Sequence, residues 1–136
     1  YGNEDRLRWD LLKLFHHCSY LSLGPVRGVT ETVAVDEVKW LFETQGRKRC
    51  TIVSPSKPIP TAGSVEDSST QPPHRQAANH HRRVVKDKFG DFIVTMEQAT
   101  PTPGPIRYQI DRNGVGIALA VTTGAGSATA KPARQG

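Results

Sequence analysis

Apolar residues near the start of the chain recur at spacings of three and four: Leu7, Leu11, Leu14, Cys18 and Leu21. That spacing predicts one face of an amphipathic helix. Asn3 would cap it, Glu4 and Asp5 would put negative charge in its first turn, and Gly24-Pro25 would stop it. Residues 29–35 alternate and are rich in Val and Thr, which predicts a short strand. A second helix is expected from Asp36, with Val38, Leu41 and Phe42 on its apolar side. Gly46 stands where a left-handed C-cap is wanted, and residues 50–53 have the composition of a strand. Arg47, Lys48 and Arg49 fill the corner between them. Helix, helix, glycine, basic corner and strand is the order of a winged-helix-like lobe over residues 1–53.

The pattern changes at Ser54. Residues 54–74 are rich in Ser, Pro and Thr and have almost no apolar face. Such a stretch buries too little surface to offset its ordering entropy, so a disordered linker is expected over 54–88, basic at its end. That basic end, residues 75–88, has the length of a short helix. Residues 89–97 alternate, with Phe92, Val94 and Met96 on one side, and predict a strand. TPTPGP at 100–105 is a break. Residues 106–111 and 115–121 predict two further strands, joined at Asn113-Gly114, the favoured two-residue hairpin loop. Residues 89–122 are therefore expected to form a small antiparallel unit. Residues 123–136 have the composition of a disordered tail.

Composition narrows this picture. The 136 residues suit one ordinary domain and not two. The apolar fraction is 36%, against about 45–50% for typical globular chains. A small core follows, one that a protein partner would help to complete, and the first residue, Tyr1, suits a fragment or processed product. Net charge is +5, of which residues 54–136 carry +4. A basic balance favours an anionic partner such as nucleic acid. Cys18 and Cys50 are too few and too far apart for a disulfide framework, and two buried reduced thiols are expected. No apolar run approaches the ~18 residues of a membrane span. No signal-peptide pattern opens the chain. An intracellular protein without a membrane association is the expectation, cytoplasm and nucleus not being distinguished.

Candidate chemistry is sparse. Arg47, Lys48 and Arg49 form a phosphate-gripping corner, which Arg82, Arg83 and Lys86 would extend. Trp40 would offer a ring for base stacking. His16, His17 and Cys18 are contiguous, and His74, His80 and His81 lack cysteines at zinc spacing, so no metal site is expected. No glycine-rich phosphate loop is present, and no cofactor is implied by the residues themselves.

Two short pieces carry a family resemblance. Leu14-Phe15-His16 with Leu21-Ser22-Leu23, and the run from Thr44 through Gln45, Gly46, Arg47, Lys48 and Arg49 to Cys50, resemble the N-terminal lobe of the NAD-dependent RNA 2′-phosphotransferases. The likeness covers residues 7–53. It implies a winged-helix-like module, an RNA substrate, a transferase that removes a 2′-phosphate with NAD, and His16 and Arg49 at matching motif positions. Phe15 stands where that family has an arginine, and nothing after Ser54 matches its NAD-binding lobe.

The expectation is thus an α+β protein that binds RNA or other nucleic acid through a basic helix-turn-strand corner, without catalysis of its own. The alternatives are a fragment of such a transferase, with His16 and Arg49 as catalytic candidates and NAD as cofactor, and a protein-interaction module.

Overall fold

The computed structural model describes residues 2–97, 106–112 and 114–118. Helices and a small sheet coexist, so the α+β expectation holds at that level. Strands β1 (Trp9–Lys13), β2 (Gly46–Ser54) and β3 (Asp91–Val94) form a parallel sheet in the order β1-β2-β3. Parallel neighbours need long crossovers. The first contains α1 (Asp36–Lys39), which continues as a π-helical turn over Trp40–Thr44. The second contains α2 (Arg75–Asp87). Strands β4 (Arg107–Asp111) and β5 (Gly114–Ala118) pair antiparallel as expected, but Asp111 pairs with Gly114, so Gly114 stands in β5 and not in the two-residue loop expected at Asn113-Gly114.

Both crossovers pack on one face of the sheet. Leu12, Ile52 and Phe92 lie side by side in register on that face. Phe42, from the π-helical turn, is buried against them and meets Trp9 edge-on at 6.2 Å and His81 at 4.8 Å. From α2 come Ala77, Ala78, Val84 and Val85, spaced to face inward every three or four residues. Leu11, Thr51 and Asp91 form the next row, pointing the other way. On that side Tyr108 of β4 lies near Asp91, and β5 touches β1.

The leading helix does not form. A 3-10 turn (Glu4–Leu7) precedes β1, whose residues Leu11 and Leu12 are both partly buried, one on each face. A strand covered on both sides needs consecutive apolar residues, and such a run also satisfies a helical spacing. The helix pair of the winged-helix-like lobe is thereby reduced to the short helix after Val35. Residues 29–35 form no strand either. Thr32 and Ala34 point inward while Val29, Val33 and Val35 are exposed, and the segment is held by Thr32 N–H to Gln76 O and Val35 N–H to Leu23 O. Gly46 is not a left-handed cap. It opens β2, and a Cβ there would lie 2.7 Å from the Trp9 ring.

The linker expected over 54–88 does not form: residues 75–87 are α2, packed on the core, and residues 54–74 are not a loose linker either. Ser54 and Ser56 are buried and joined by a 2.8 Å hydrogen bond. Asp67 sits between two arginines: Arg75 Nε donates to its carboxylate at 3.0 Å, and Arg27 donates to its backbone carbonyl. Arg27 also reaches Gln76 Oε1 and Ser69 O. The Arg75 hydrogen bond first, then the Gly63 N–H at 3.1 Å and the charge of Arg27, hold the Asp67 carboxyl below its usual range. Polar bonding with partners distant in sequence fixes what low hydrophobicity leaves loose. Residues 89–97 also depart from expectation, since β3 joins the parallel sheet and not an antiparallel unit. The break at 100–105, Asn113 of the hairpin turn, residues 119–121 and the tail at 123–136 lie outside the described residues.

Candidate functional site

The β1-β2 ladder skips the basic triplet. Trp9 pairs with Gly46, but Leu11 pairs with Thr51, so two steps of β1 face five of β2. β3 enters the sheet only at Thr51. Arg47, Lys48 and Arg49 therefore bulge from the start of β2 and all three are exposed. Arg49 has φ of 63°. A non-glycine residue there costs on the order of 1–3 kcal/mol, so the surroundings must hold it. They do so through its N–H, which donates to Lys88 O at 2.8 Å. The bulge is thus tied to the C-terminal end of α2. Gly90 makes this possible, because a Cβ there would lie 2.0 Å from Cys50 O.

This tie brings an aromatic to the bulge. Phe89 follows α2, has φ of 57° and is 75% exposed. Lys48 Nζ stands 5.2 Å from the centre of its ring. Further along α2, the Arg82 guanidinium lies 5.4 Å from the Phe92 ring. Lys86 is exposed one turn away from Arg82. Lys48, Arg49, Arg82 and Lys86 enter no ion pair among the described residues.

The other cations of the predicted surface are engaged. Arg47 pairs with Asp10 at 3.0 Å. Arg83 meets Glu31 at 2.8 Å and Glu43 at 3.0 Å, with Asp87 at 3.9 Å. Burial works against the charge of Arg83, but the hydrogen bonds to Glu31 and Glu43 outweigh it and raise its pKa. Trp40 is half-buried on the π-helical turn. Phe89 is the residue that the alternation pattern misses. Its signal is local: a large apolar side chain beside Gly90, just past a basic helix.

The histidines of α2 turn inward. His80 and His81 are buried, and His81 stacks on Phe92 at 6.1 Å. Burial, reinforced by His80, pushes its pKa down to about 3. Burial also lowers His74, with help from Arg27, and His80, with help from Arg83. These rings are neutral packing elements near neutral pH. Cys18 and Cys50 are both buried free thiols. Burial pushes Cys18 up to about 12 and raises Cys50 as well. A thiol in that state is a poor nucleophile.

His16 and Arg49 are not brought together. His16 follows the C-terminal end of β1, whose Lys13 pairs with Val53. Arg49 lies four residues before Val53, roughly 13 Å of strand at ~3.3 Å per residue. Among the described residues, no group of three or more His, Cys, Asp or Glu is placed to hold a metal ion. No described helix is long and apolar enough to cross a membrane. Comparison with protein-family models, curated proteins and solved structures finds no match to this chain.

Proposed function

We propose that this chain binds single-stranded nucleic acid, RNA first, through the bulge of β2 and the outer face of α2, without catalysis of its own. The observation that carries this reading is Phe89, exposed at the corner with Lys48 over its ring and Arg49 tied alongside. An exposed ring beside cations suits a base stacked over a neutralised phosphate. Lys48, Arg49, Arg82 and Lys86 would take phosphates, which supplies affinity without sequence selection. Arg47, Arg83 and Trp40 contribute less, since the first two already meet carboxylates and the third is half-buried. A nucleus or cytoplasm location follows from this reading and not from the fold.

The test is a salt titration with a short single-stranded RNA. Each phosphate contact contributes roughly −0.7 to the slope of log affinity against log salt. Replacing Lys48, Arg49, Arg82 and Lys86 by Ala should flatten that slope and leave the unfolding midpoint near its original value. No binding at low salt, or a slope unchanged by the four replacements, would sink the proposal.

The transferase reading ranks second. It draws on the motif likeness of residues 7–53, on a winged-helix-like lobe and on NAD. His16 and Arg49 stand at different ends of the sheet, so this chain alone would not join them at one reacting phosphate. A protein partner that completes the small core is compatible with either reading.

A further inference from the structure

The cations that enter no ion pair among the described residues share a bounded face with Phe89. Arg82 and Lys86 are exposed on one side of α2, and Phe89 stands just past its end. At ~1.5 Å per residue the run from Arg82 to Phe89 is about 10 Å long. Lys48 and Arg49 close its Phe89 end. The borders of this face are spent or acidic. Towards the start of α2, the Asn79 amide donates to Thr30 O at 2.7 Å and Arg75 is held by Asp67. On one flank Arg83 draws together Glu31, Glu43 and Asp87, and the Lys88 ammonium donates to Glu43 O. Past the bulge, Arg47 is neutralised by Asp10. Asp91 belongs to the row of side chains on the other side of the sheet.

Arg82 differs from the other cations of this face. Its guanidinium lies over the Phe92 ring, 5.4 Å from the centre. Phe92 is fixed in turn by His81, whose ring lies within 10° of parallel at 6.1 Å. His81 is fully buried and Phe92 half-buried, so this stack is anchored in the core. Arg82 itself is exposed, which leaves the second face of its guanidinium and its N–H edge for a ligand. A planar guanidinium stacks on unpaired bases much as an aromatic ring does. Its N–H edge still reaches a phosphate.

We infer, on the nucleic-acid reading above, that this face takes a short unpaired segment of RNA with two bases stacked, one on Phe89 and one on the Arg82 guanidinium. A stacked strand advances ~3.4 Å per nucleotide, so the face holds about four nucleotides from first base to last. Fluorescence anisotropy of labelled oligouridylates of two, four, six and ten nucleotides at low salt tests the length. Affinity should rise steeply from two to four, and beyond four only by the number of positions that a longer strand offers. A continued steep rise from four to ten would overturn the short footprint. No binding at any length would sink the nucleic-acid reading itself. Arg82→Lys keeps the charge and removes the plane. It should weaken the tetranucleotide about fivefold or more, the loss of one stacked base, with the salt slope unchanged. An abasic ribose-phosphate strand of the same length should bind this variant as it binds the original chain, which also shows that the variant is folded. Undiminished tetranucleotide binding, or an equal loss on both strands, would overturn the second stack.

Discussion

Residues 46–49 and 50–54 are halves of one strand with opposite surroundings. The second half has β1 on one side, β3 on the other and α2 above, and Cys50, Ile52 and Ser54 are fully buried. The first half lacks β3, slips out of register with β1 and exposes three cations in a row. The difference lies in neighbours. A strand paired on both edges spends its backbone and side chains on the fold, whereas a bulge beyond the last partner leaves both for a ligand.

Removing the packing under the second half should have the largest effect. Phe42 is 1% exposed and bridges Trp9 and the α2 histidines. Phe42→Ala should cost about 3–5 kcal/mol in urea unfolding, as large-to-small changes in a core do. A loss below 1 kcal/mol would mean that the buried half does not depend on this ring.

Acid should come next, and it acts on the same half. His74, His80 and His81 have folded pKa values below their ordinary value, His81 at about 3. The unfolded chain takes up their protons first as pH falls. Their neutral-state stability is therefore intact above about pH 6.5 and declines as pH falls; for His81 the decline runs towards pH 3 at up to ~1.4 kcal/mol per pH unit, and His74 and His80 act in the same direction. Urea midpoints from pH 7.5 to 4 measure this. A flat profile would contradict the burial of these rings. His81→Phe, which keeps the aromatic stack without the titrating nitrogens, should reduce the decline.

Effects on the exposed half should appear in binding. Phe89→Ala should weaken single-stranded RNA binding by about 1–3 kcal/mol, the range for one stacked base, with stability changed by less than about 0.5 kcal/mol. Unaltered affinity would move the contact away from the corner. The smallest effect is expected at Arg83. Its side chain is 42% exposed, so solvent screening limits its pairs with Glu31 and Glu43. Arg83→Ala should cost about 0.5–1 kcal/mol of stability and leave the RNA salt slope almost unchanged. A large loss of binding would place Arg83 among the phosphate contacts and blur the contrast between paired and unpaired cations.

Part of this division was legible from side-chain pattern. Asp36, Val38 and Phe42 mark a real helix, although Val35 is its N-cap and the chain relaxes into a π-helical turn. The antiparallel hairpin was legible as well, but its loop lies one residue earlier than the Asn-Gly signal places it, because Asp111 pairs with Gly114 and Gly114 belongs to β5. The leucine spacing in residues 7–21 misleads, because helical period and a doubly covered strand place apolar residues at overlapping positions. Residues 54–74 mislead for another reason: their order comes from Arg27 and Arg75 closing on Asp67, a contact across 40 residues for the first. For the site, Lys48, Arg49, Arg82 and Lys86 were visible as charge, but their separation from Arg47 and Arg83 depends on where the carboxylates fold.

By itself the sequence determined the local features: the basic balance, the two unpaired thiols, the helix after Val35 and the antiparallel hairpin. Each follows from propensities acting within a few residues. Tertiary structure decided the parallel order β1-β2-β3, the inward turn of His80 and His81, the bulge that extrudes Arg47, Lys48 and Arg49, and the seat of Phe89 beside it. Parallel pairing joins residues some 40 positions apart, and side-chain alternation is the same whichever partner a strand finds. Only the partner's length and register set where β2 stops being core and becomes surface.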